Sequence, residues 1–388
     1  MSHYHSHITT SIKIIETHKN GEPLAYHLKR FFATNKKYGS KDRKSIASLC
    51  YNYYRLGNAL KNKTTEERII IAVFLCNNKP NDMLAAIAPN YNVQIEMSIA
   101  QKCEYVKINS NHIFFFQNEI GEYINTTEFA FSFLKQPLFY IRVRPGKNEN
   151  VRAKLHAVNI SFTEKSDTCF VLPQASKIEN VLLLNNEVVV QDYNSQQVFN
   201  YIKNNDSLSK KEVSVWDCCA ASGGKSILIY DILKEKLNLS VSDVRGNILN
   251  NLSTRFKEAG IKSYQSFVAD LVNLTTTLPQ KKYDIIICDA PCTGSGTWAR
   301  TPEQLSFFKQ QSIEVFVKMQ KQIANNTIPF LKQGGLFFYI TCSIFAQENE
   351  MVVHYLKQKF HLQLLQMEYL KGYEIQADTM FVAVFTTA

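Results

Sequence analysis

Apolar positions in the first third of the chain recur at helical spacing. Leu24, Leu28, Phe31 and Phe32 follow i, i+4, i+7, i+8, and Ile46, Leu49, Cys50 and Tyr53 follow i, i+3, i+4, i+7. Ser40 to Arg43 lies between these two runs and is placed to cap the second helix. Glu67 to Leu75 and Asp82 to Ile87 predict further helices, with Pro80 as a break. The region reads as a small helical bundle.

From about Pro137 the pattern changes. Leu138–Val143, Ile160–Thr163, Thr168–Leu172 and Val188–Val190 are strand-like, while Asn148–Val158 and Lys177–Leu184 are helix-like. That β-α-β-β-α-β order predicts a small ferredoxin-like α+β module, an architecture common among RNA binders. Asn204 to Lys211 is polar and reads as a linker. Beyond it strands and helices alternate: Val213–Trp216, Ser226–Glu235, Leu239–Ser242, Ile248–Ala259, Tyr264–Val268, Tyr283–Cys288, Ile313–Ile328, Leu336–Ile340 and Met351–Lys359. Such alternation predicts a doubly wound, Rossmann-like α/β domain. Gly334-Gly335 is expected to stop the long helix and start the next strand. The expected domains are therefore 1–130 helical, 131–203 ferredoxin-like and 204–388 Rossmann-like.

Composition narrows the class. A hydrophobic content of 45% and a charged content of 20% are those of a folded domain protein. Nine scattered cysteines, mostly in apolar runs, argue for reduced thiols in a cytoplasmic setting rather than a disulfide framework. None has the spacing of a metal site, so no metal is expected. Ile69–Cys76 is too short to span a bilayer and no signal peptide is evident, so no membrane partner is expected. The net charge of +10 is concentrated at the front, where residues 1–60 hold ten basic side chains against Glu16, Glu22 and Asp42. A basic end patch suits phosphate backbones, although a solvated helical surface has the same composition.

Candidate chemistry gathers at three strand ends, which a parallel α/β sheet brings to one crevice. Val213–Trp216 runs into Asp217-Cys218-Cys219-Ala220-Ala221-Ser222-Gly223-Gly224-Lys225, a glycine loop opening a helix. Its backbone can approach a ligand closely at the positive end of that helix. A P-loop needs glycine where Cys219 stands, and the dinucleotide pattern G-x-G-x-x-G is not supplied. S-adenosylmethionine remains, with Asp243, twenty residues after Gly223, placed to accept hydrogen bonds from ribose hydroxyls. The other two strands end in Asp289-Ala290-Pro291-Cys292 and Thr341-Cys342-Ser343. Gly294–Ala299 matches G-x-G-x-x-A, but Pro291, Pro302 and the missing acid make it a decoy, better read as a flexible substrate loop. Cys50, Cys76, Cys103, Cys169, Cys218 and Cys288 read as core packing, as do Phe114, Phe115 and Phe116. Asp270 serves equally as a helix cap, and Glu348-Asn349-Glu350 reads as capping or orienting the last helix.

The strings Asp217–Ser226 (DCCAASGGKS), Asp289–Arg300 (DAPCTGSGTWAR) and Tyr339–Glu350 (YITCSIFAQENE) resemble motifs I, IV and VI of the RsmB/Sun family of RNA cytosine-5 methyltransferases. Gln191–Gln196 resembles that family's Q-D-x-x-S segment, and Ser40–Arg43 with Tyr51–Arg55 is similar to the NusB-like RNA-binding domain of its ribosomal members. The resemblance implies a Rossmann-like S-adenosylmethionine-dependent methyltransferase domain, preceded by an all-α NusB-like domain and the small α+β module. It implies Cys342 as the nucleophile toward cytosine carbon 6, Asp289 as hydrogen-bonding partner of the base's ring nitrogen, and Cys292 as the thiol assisting product release. Cys219, Ala220, Ala221, Ser222, Gly223, Gly224, Lys225, Asp243, Asp270 and Asp289 correspond to its cofactor-contacting positions. Lys225 is a candidate for easing ionisation of the nucleophile, since an unperturbed thiol is mostly protonated near neutrality.

Two departures stand out. Ser222 occupies a position usually held by proline, which predicts a looser cofactor loop. Arg142-Val143-Arg144-Pro145 replaces the usual R-V-N start of the small module, which puts RNA contacts there in doubt. The expected partner is RNA, small-subunit ribosomal RNA by the resemblance of the helical domain, and the expected state a monomer. Alternatives are a transfer-RNA methyltransferase with the same site and a non-catalytic RNA-binding assembly factor. A DNA methyltransferase would instead use Cys292 as the nucleophile.

Overall fold

A computed structural model describes residues 3–174, 176–204, 212–233, 236–274, 278 and 280–387. All but the first residue of the expected linker Asn204–Lys211, and the last two residues of the expected helix Ser226–Glu235, lie outside these described residues. The chain forms two compact units. One comprises Met1–Ile120, Ile124–Pro137 and Thr297–Gln310; the other comprises Gly121–Tyr123, Leu138–Gly296 and Gln311–Ala388.

The first unit is helical. Its longest helices are α1 (His3–Thr17), α2 (Leu24–Thr34), α3 (Ser40–Arg55) and α4 (Thr65–Cys76). Sequence periodicity does not single out α1, whose inward face is a mixed row of His7, Ile8, Ser11, Ile14 and Ile15. Gly39 precedes α3, and the Asp42 carboxylate accepts its amide at 3.1 Å, so the Ser40–Arg43 segment supplies the cap. At α4 Thr64 and Glu67 form a reciprocal capping box. Arg55 is buried without a carboxylate partner among the described residues. Its guanidinium donates to the carbonyls of Phe133, Lys135 and Ala299 and to Gln136 Oε1. The Thr297–Gln310 segment is held in the same way, with Glu303 accepting the Leu24 amide at 3.0 Å and Trp298 packed on Phe114 and Phe308. Gly294–Ala299 is thus no open loop: Ser295, Gly296 and Trp298 are buried. Phe114 is core, but Phe115 is 71% exposed, which corrects the reading of all three phenylalanines as interior.

The second unit holds two sheets. The smaller comprises β1 (Phe139–Val143), β2 (Thr163–Ser166), β3 (Cys169–Leu172) and β4 (Val188–Val190), in the order β2-β3-β1-β4 and antiparallel throughout. That is ferredoxin-like order, with helix Asn148–Ala157 joining β1 to β2; the expected second helix is reduced to a 3-10 turn at Ile178–Asn180. Arg142 and Arg144 do not present their charge to solvent. Both pair with Asp231 on helix Gly224–Leu233, and Arg144 also donates to the Ala259 carbonyl at 2.6 Å.

The larger sheet comprises β5 (Val213–Asp217), β6 (Leu237–Asp243), β7 (Tyr264–Val268), β8 (Tyr283–Asp289), β9 (Leu331–Thr341), β10 (Gln363–Leu370) and β11 (Met380–Thr386). Its order is β10-β11-β9-β8-β5-β6-β7, with β9, β8, β5, β6 and β7 parallel and β11 antiparallel between β9 and β10. The order reverses at β5 and β8, the switch point where such sheets bind ligands. Central strands are buried on both faces, which is why Ile285–Cys288 and Phe337–Ile340 read as unbroken apolar runs. Gly334-Gly335 neither stops the long helix nor starts the strand. The helix ends at Thr327, and the glycines lie inside β9 where its pairing with β8 slips, Gly334 taking φ of 69°. Among the described residues no helix is long and apolar enough to cross a membrane.

Candidate active site

Parallel register puts Asp217, Asp243, Asp289 and Thr341 at the carboxyl ends of neighbouring strands. The loop after β5 is held tightly. Ala220 N–H donates to the Ser242 carbonyl at 2.9 Å, and Ala221 N–H to Asp243 Oδ2 at 3.0 Å. Ala221 is left-handed at φ 45° and Gly223 at φ 83°. A Cβ on Gly223 would lie 2.7 Å from Phe256 Cε1, so glycine is required there both for conformation and for space. Gly224 opens the helix that carries Lys225.

Ser222 does not leave this loop free, as its replacement of proline predicts. Arg255 Nη1 donates to both its carbonyl and its hydroxyl at 2.8 Å, while Arg255 Nε donates to Asn185 Oδ1. A side-chain tether does what a ring would do by fixing φ.

A cavity of about 640 Å³ opens beside the loop, bordered by Cys219, Ala221, Asp243, Asp270 and Asp289 and by the apolar Leu271, Pro291, Met319 and Ile323. Burial opposes ionisation of Asp243, but hydrogen bonds from Arg245 and Ala221 prevail and hold its carboxyl below the usual range. Asp270 accepts the amides of Val272 and Asn273 in a local turn that opens no helix among the described residues, so the helix-cap reading does not hold, and it borders the cavity. Sequence reasoning gives Asp217 no role of its own. It is fully buried, burial pushes its carboxyl up to about 7, Oδ2 accepts from Ser226, and Oδ1 has no partner among the described residues. A second cavity, of about 300 Å³, lies across the loop against Gln191, Asp192, Ser195, Lys225 and Arg255, and meets the first at Ala221 and Asp289.

Where the cavities meet, Lys225 Nζ donates to Asp289 Oδ2 at 2.6 Å. Burial disfavours the ammonium, yet the charges of Asp289, Cys342 and Asp217 outweigh it and raise the lysine above its ordinary range. Cys292 and Cys342 face one another with sulfurs 3.3 Å apart. Cys288 is buried in β8, as a core cysteine should be, whereas Cys218, buried just past β5, borders the cavity together with the partly exposed Cys219.

Asn349 stands at the N-cap position of the last helix but makes no side-chain capping bond, so the capping half of the expectation for Glu348-Asn349-Glu350 fails. The side chains of Glu348 and Asn349 turn inward instead. Asn349 Nδ2 donates to the Ser343 carbonyl at 2.8 Å, and its Oδ1 accepts from Thr341. Glu348 accepts from Thr293 N–H and Oγ1, Ser343 Oγ and Gln320 Nε2. Among the described residues no cluster of three or more His, Cys, Asp or Glu is arranged to hold a metal ion.

Residues 206–385 match the family model described as 16S rRNA methyltransferase RsmB/F. Over that stretch, just under half of its length, the chain is similar to the RsmB/F family. Curated relatives include the probable ribosomal RNA small subunit methyltransferase B of Bacillus subtilis, 28% identical over 44% of this chain and 37% of its own length. Another is the ribosomal RNA small subunit methyltransferase B of Shewanella oneidensis, 31% identical over 35% of this chain and 31% of its own length. The matched stretch thus spans well under half of either relative. Among solved structures, PH0851 aligns over 98% of both chains with a TM-score of 0.71 at 18% identity. NSun6 from Pyrococcus horikoshii with SFG aligns over 70% of this chain and 96% of its own, with a TM-score of 0.59 at 16% identity. These two likenesses establish a shared fold.

Proposed function

We propose that the chain is an S-adenosylmethionine-dependent RNA cytosine-5 methyltransferase acting on small-subunit ribosomal RNA. The observation that carries this reading is the pair of facing thiols, 3.3 Å apart, together with the Lys225–Asp289 ion pair at the edge of a nucleoside-sized cavity.

The residues fit the cofactor. Asp243 sits where ribose hydroxyls would donate, and Leu271, Met319 and Ile323 offer an apolar wall for a base. Asp217 Oδ1 is a buried acceptor lacking a donor among the described residues, the chemistry an ammonium would satisfy. We assign Cys219–Lys225, Asp243, Asp270 and Asp289 to this site. When bound there, S-adenosylmethionine supplies an electrophilic methyl group.

A flipped cytosine would then lie beside the Lys225–Asp289 pair, whose lysine is in electrostatic contact with Cys342. Cys342, as thiolate, adds to carbon 6; the carbon 5–carbon 6 π pair moves toward carbon 5 and the ring nitrogen. The Lys225–Asp289 pair holds an ammonium donor where that charge develops and stabilises it. Carbon 5 takes up the methyl and gives up its proton to a base. The electron pair released re-forms the ring double bond and expels the Cys342 sulfur, with Cys292 assisting. The Lys225 ammonium is in electrostatic contact with Cys342.

We further assign residues 1–130 as a NusB-like RNA-binding domain, supported by their excess of basic side chains, and 131–203 as the ferredoxin-like module. The module's Arg142 and Arg144 serve its packing, so RNA would be held elsewhere.

Incubation with 5-fluorocytosine-substituted ribosomal RNA and the methyl donor tests the reading. Wild-type protein should form a denaturation-resistant RNA adduct, and Cys342→Ala none. Cys292→Ala should accumulate adduct even on unmodified RNA. An adduct lost in Cys292→Ala and kept in Cys342→Ala would move the nucleophile, and no adduct with any variant would overturn cytosine as target.

A further inference from the structure

Glu348 is fully buried, just ahead of the last helix, yet the four hydrogen bonds its carboxylate accepts all come from groups that frame the thiols. Its Oε1 accepts the Thr293 amide at 2.9 Å and the Gln320 side-chain amide at 2.9 Å. Its Oε2 accepts the hydroxyls of Thr293 and Ser343. Thr293 follows Cys292, and Ser343 follows Cys342. One carboxylate therefore ties together the two backbones that carry the sulfurs. Gly296 N–H completes the brace by donating to the Cys342 carbonyl at 2.8 Å.

We propose that Glu348 is a positioning residue for the thiol pair, holding Cys292 against Cys342 and making the two sulfurs chemically unequal. The proposal rests on and deepens the reading above, which needs one thiol to attack and the other to act only at release.

The geometry is lopsided: Thr293, next to Cys292, gives Glu348 both its amide and its hydroxyl, whereas Ser343, next to Cys342, gives only its hydroxyl. Cys292 faces the Cys342 thiol, lies in the field of Glu348, and interacts electrostatically with the buried Tyr339 phenol. Its thiol is pushed well above the ordinary range by the hydrogen bond with Cys342, by burial, and by the negative charges of Cys342 and Glu348. Cys342 instead shares electrostatic contact with the Lys225 ammonium. Burial raises the Glu348 carboxyl itself, against the four donors that favour its charged form.

Alkylation of the reduced, full-length protein by iodoacetamide, mapped by peptide mass spectrometry across pH, tests this without RNA or cofactor. In the wild type, the Cys292 rate should rise with a midpoint above the ordinary value of ~8.5. Glu348→Gln keeps the size of the side chain and removes its charge, so at neutral pH the Cys292 rate should increase roughly 3- to 10-fold while that of Cys342 changes less than about 2-fold. An unchanged or slower Cys292, or equal acceleration of both thiols, overturns the proposal. So does a wild-type Cys292 midpoint at or below the ordinary value, a result that stands even if the variant does not fold. Because no RNA is present, absence of the 5-fluorocytosine adduct would overturn the cytosine reading alone.

Discussion

Lys225 Nζ and Asp289 Oδ2 lie 2.6 Å apart where the two cavities share a border. Neither residue can be altered without changing the charge presented to whatever occupies either side. Lys225→Met and Asp289→Asn should each lower turnover by ~10²- to 10³-fold, in the range found when a preorganised charge-stabilising donor is lost. Steady-state kinetics and calorimetry with S-adenosylmethionine check this: turnover should fall far more than cofactor affinity.

The Arg255–Ser222 tether predicts a graded response. Ser222→Ala removes one of two hydrogen bonds from Arg255, whereas Arg255→Met removes both, and with them the link to Asn185. Cofactor affinity should fall slightly in the first variant and by ~10-fold or more in the second, since hydrogen bonds to a charged donor are worth ~1.5–3 kcal/mol. Titration calorimetry reads both; equal effects would show that the tether does not shape the loop.

Asp217 makes stability depend on pH. Its folded carboxyl titrates at about 7 against an ordinary 3.8, so the folded state binds the extra proton between those values. Its contribution is therefore complete at low pH and is lost as pH rises from about 4 through 7. Other carboxylates slope the opposite way, so the measurement is the difference between wild type and Asp217→Asn. Denaturant unfolding of the variant should show an advantage growing toward pH 8, bounded above by ~4 kcal/mol.

Gly296 has no room for a methyl group. A Cβ there would meet the Thr379 carbonyl oxygen at 2.0 Å and the Cys342 carbonyl oxygen at 3.0 Å. Gly296→Ala should destabilise the protein by ~2–4 kcal/mol, an overpacking effect against rigid backbone. Thermal unfolding would show it, and activity measured well below the melting temperature should also fall, because Gly296 N–H holds the Cys342 carbonyl.

Much of the larger sheet is legible in the chain because its central strands are buried on both faces and so appear as unbroken apolar runs. Pattern reading passes over the last two strands, although Phe381-Val382-Ala383-Val384-Phe385 is such a run. The strand-end residues Asp243, Asp289, Cys292 and Cys342 can be located because sheet topology alone gathers strand ends. Glu348 and Arg255 cannot. Each sits on or beside a helix where a charged residue normally faces solvent, and only tertiary packing turns it inward. Asp217 stands within a recognised motif, but nothing in a sequence distinguishes a carboxylate with one orphaned oxygen from a capped one. The Gly334-Gly335 pair misleads for a related reason: a strand bulge and a helix stop make the same demand on backbone angles.

The Thr297–Gln310 segment belongs with the helical unit although its sequence lies deep in the other half. A fragment beginning at residue 138 would retain Trp298 and Leu305 but lose the helices that bury them. Truncation between the halves is thus no clean cut, and an expressed C-terminal piece should be sticky and poorly soluble.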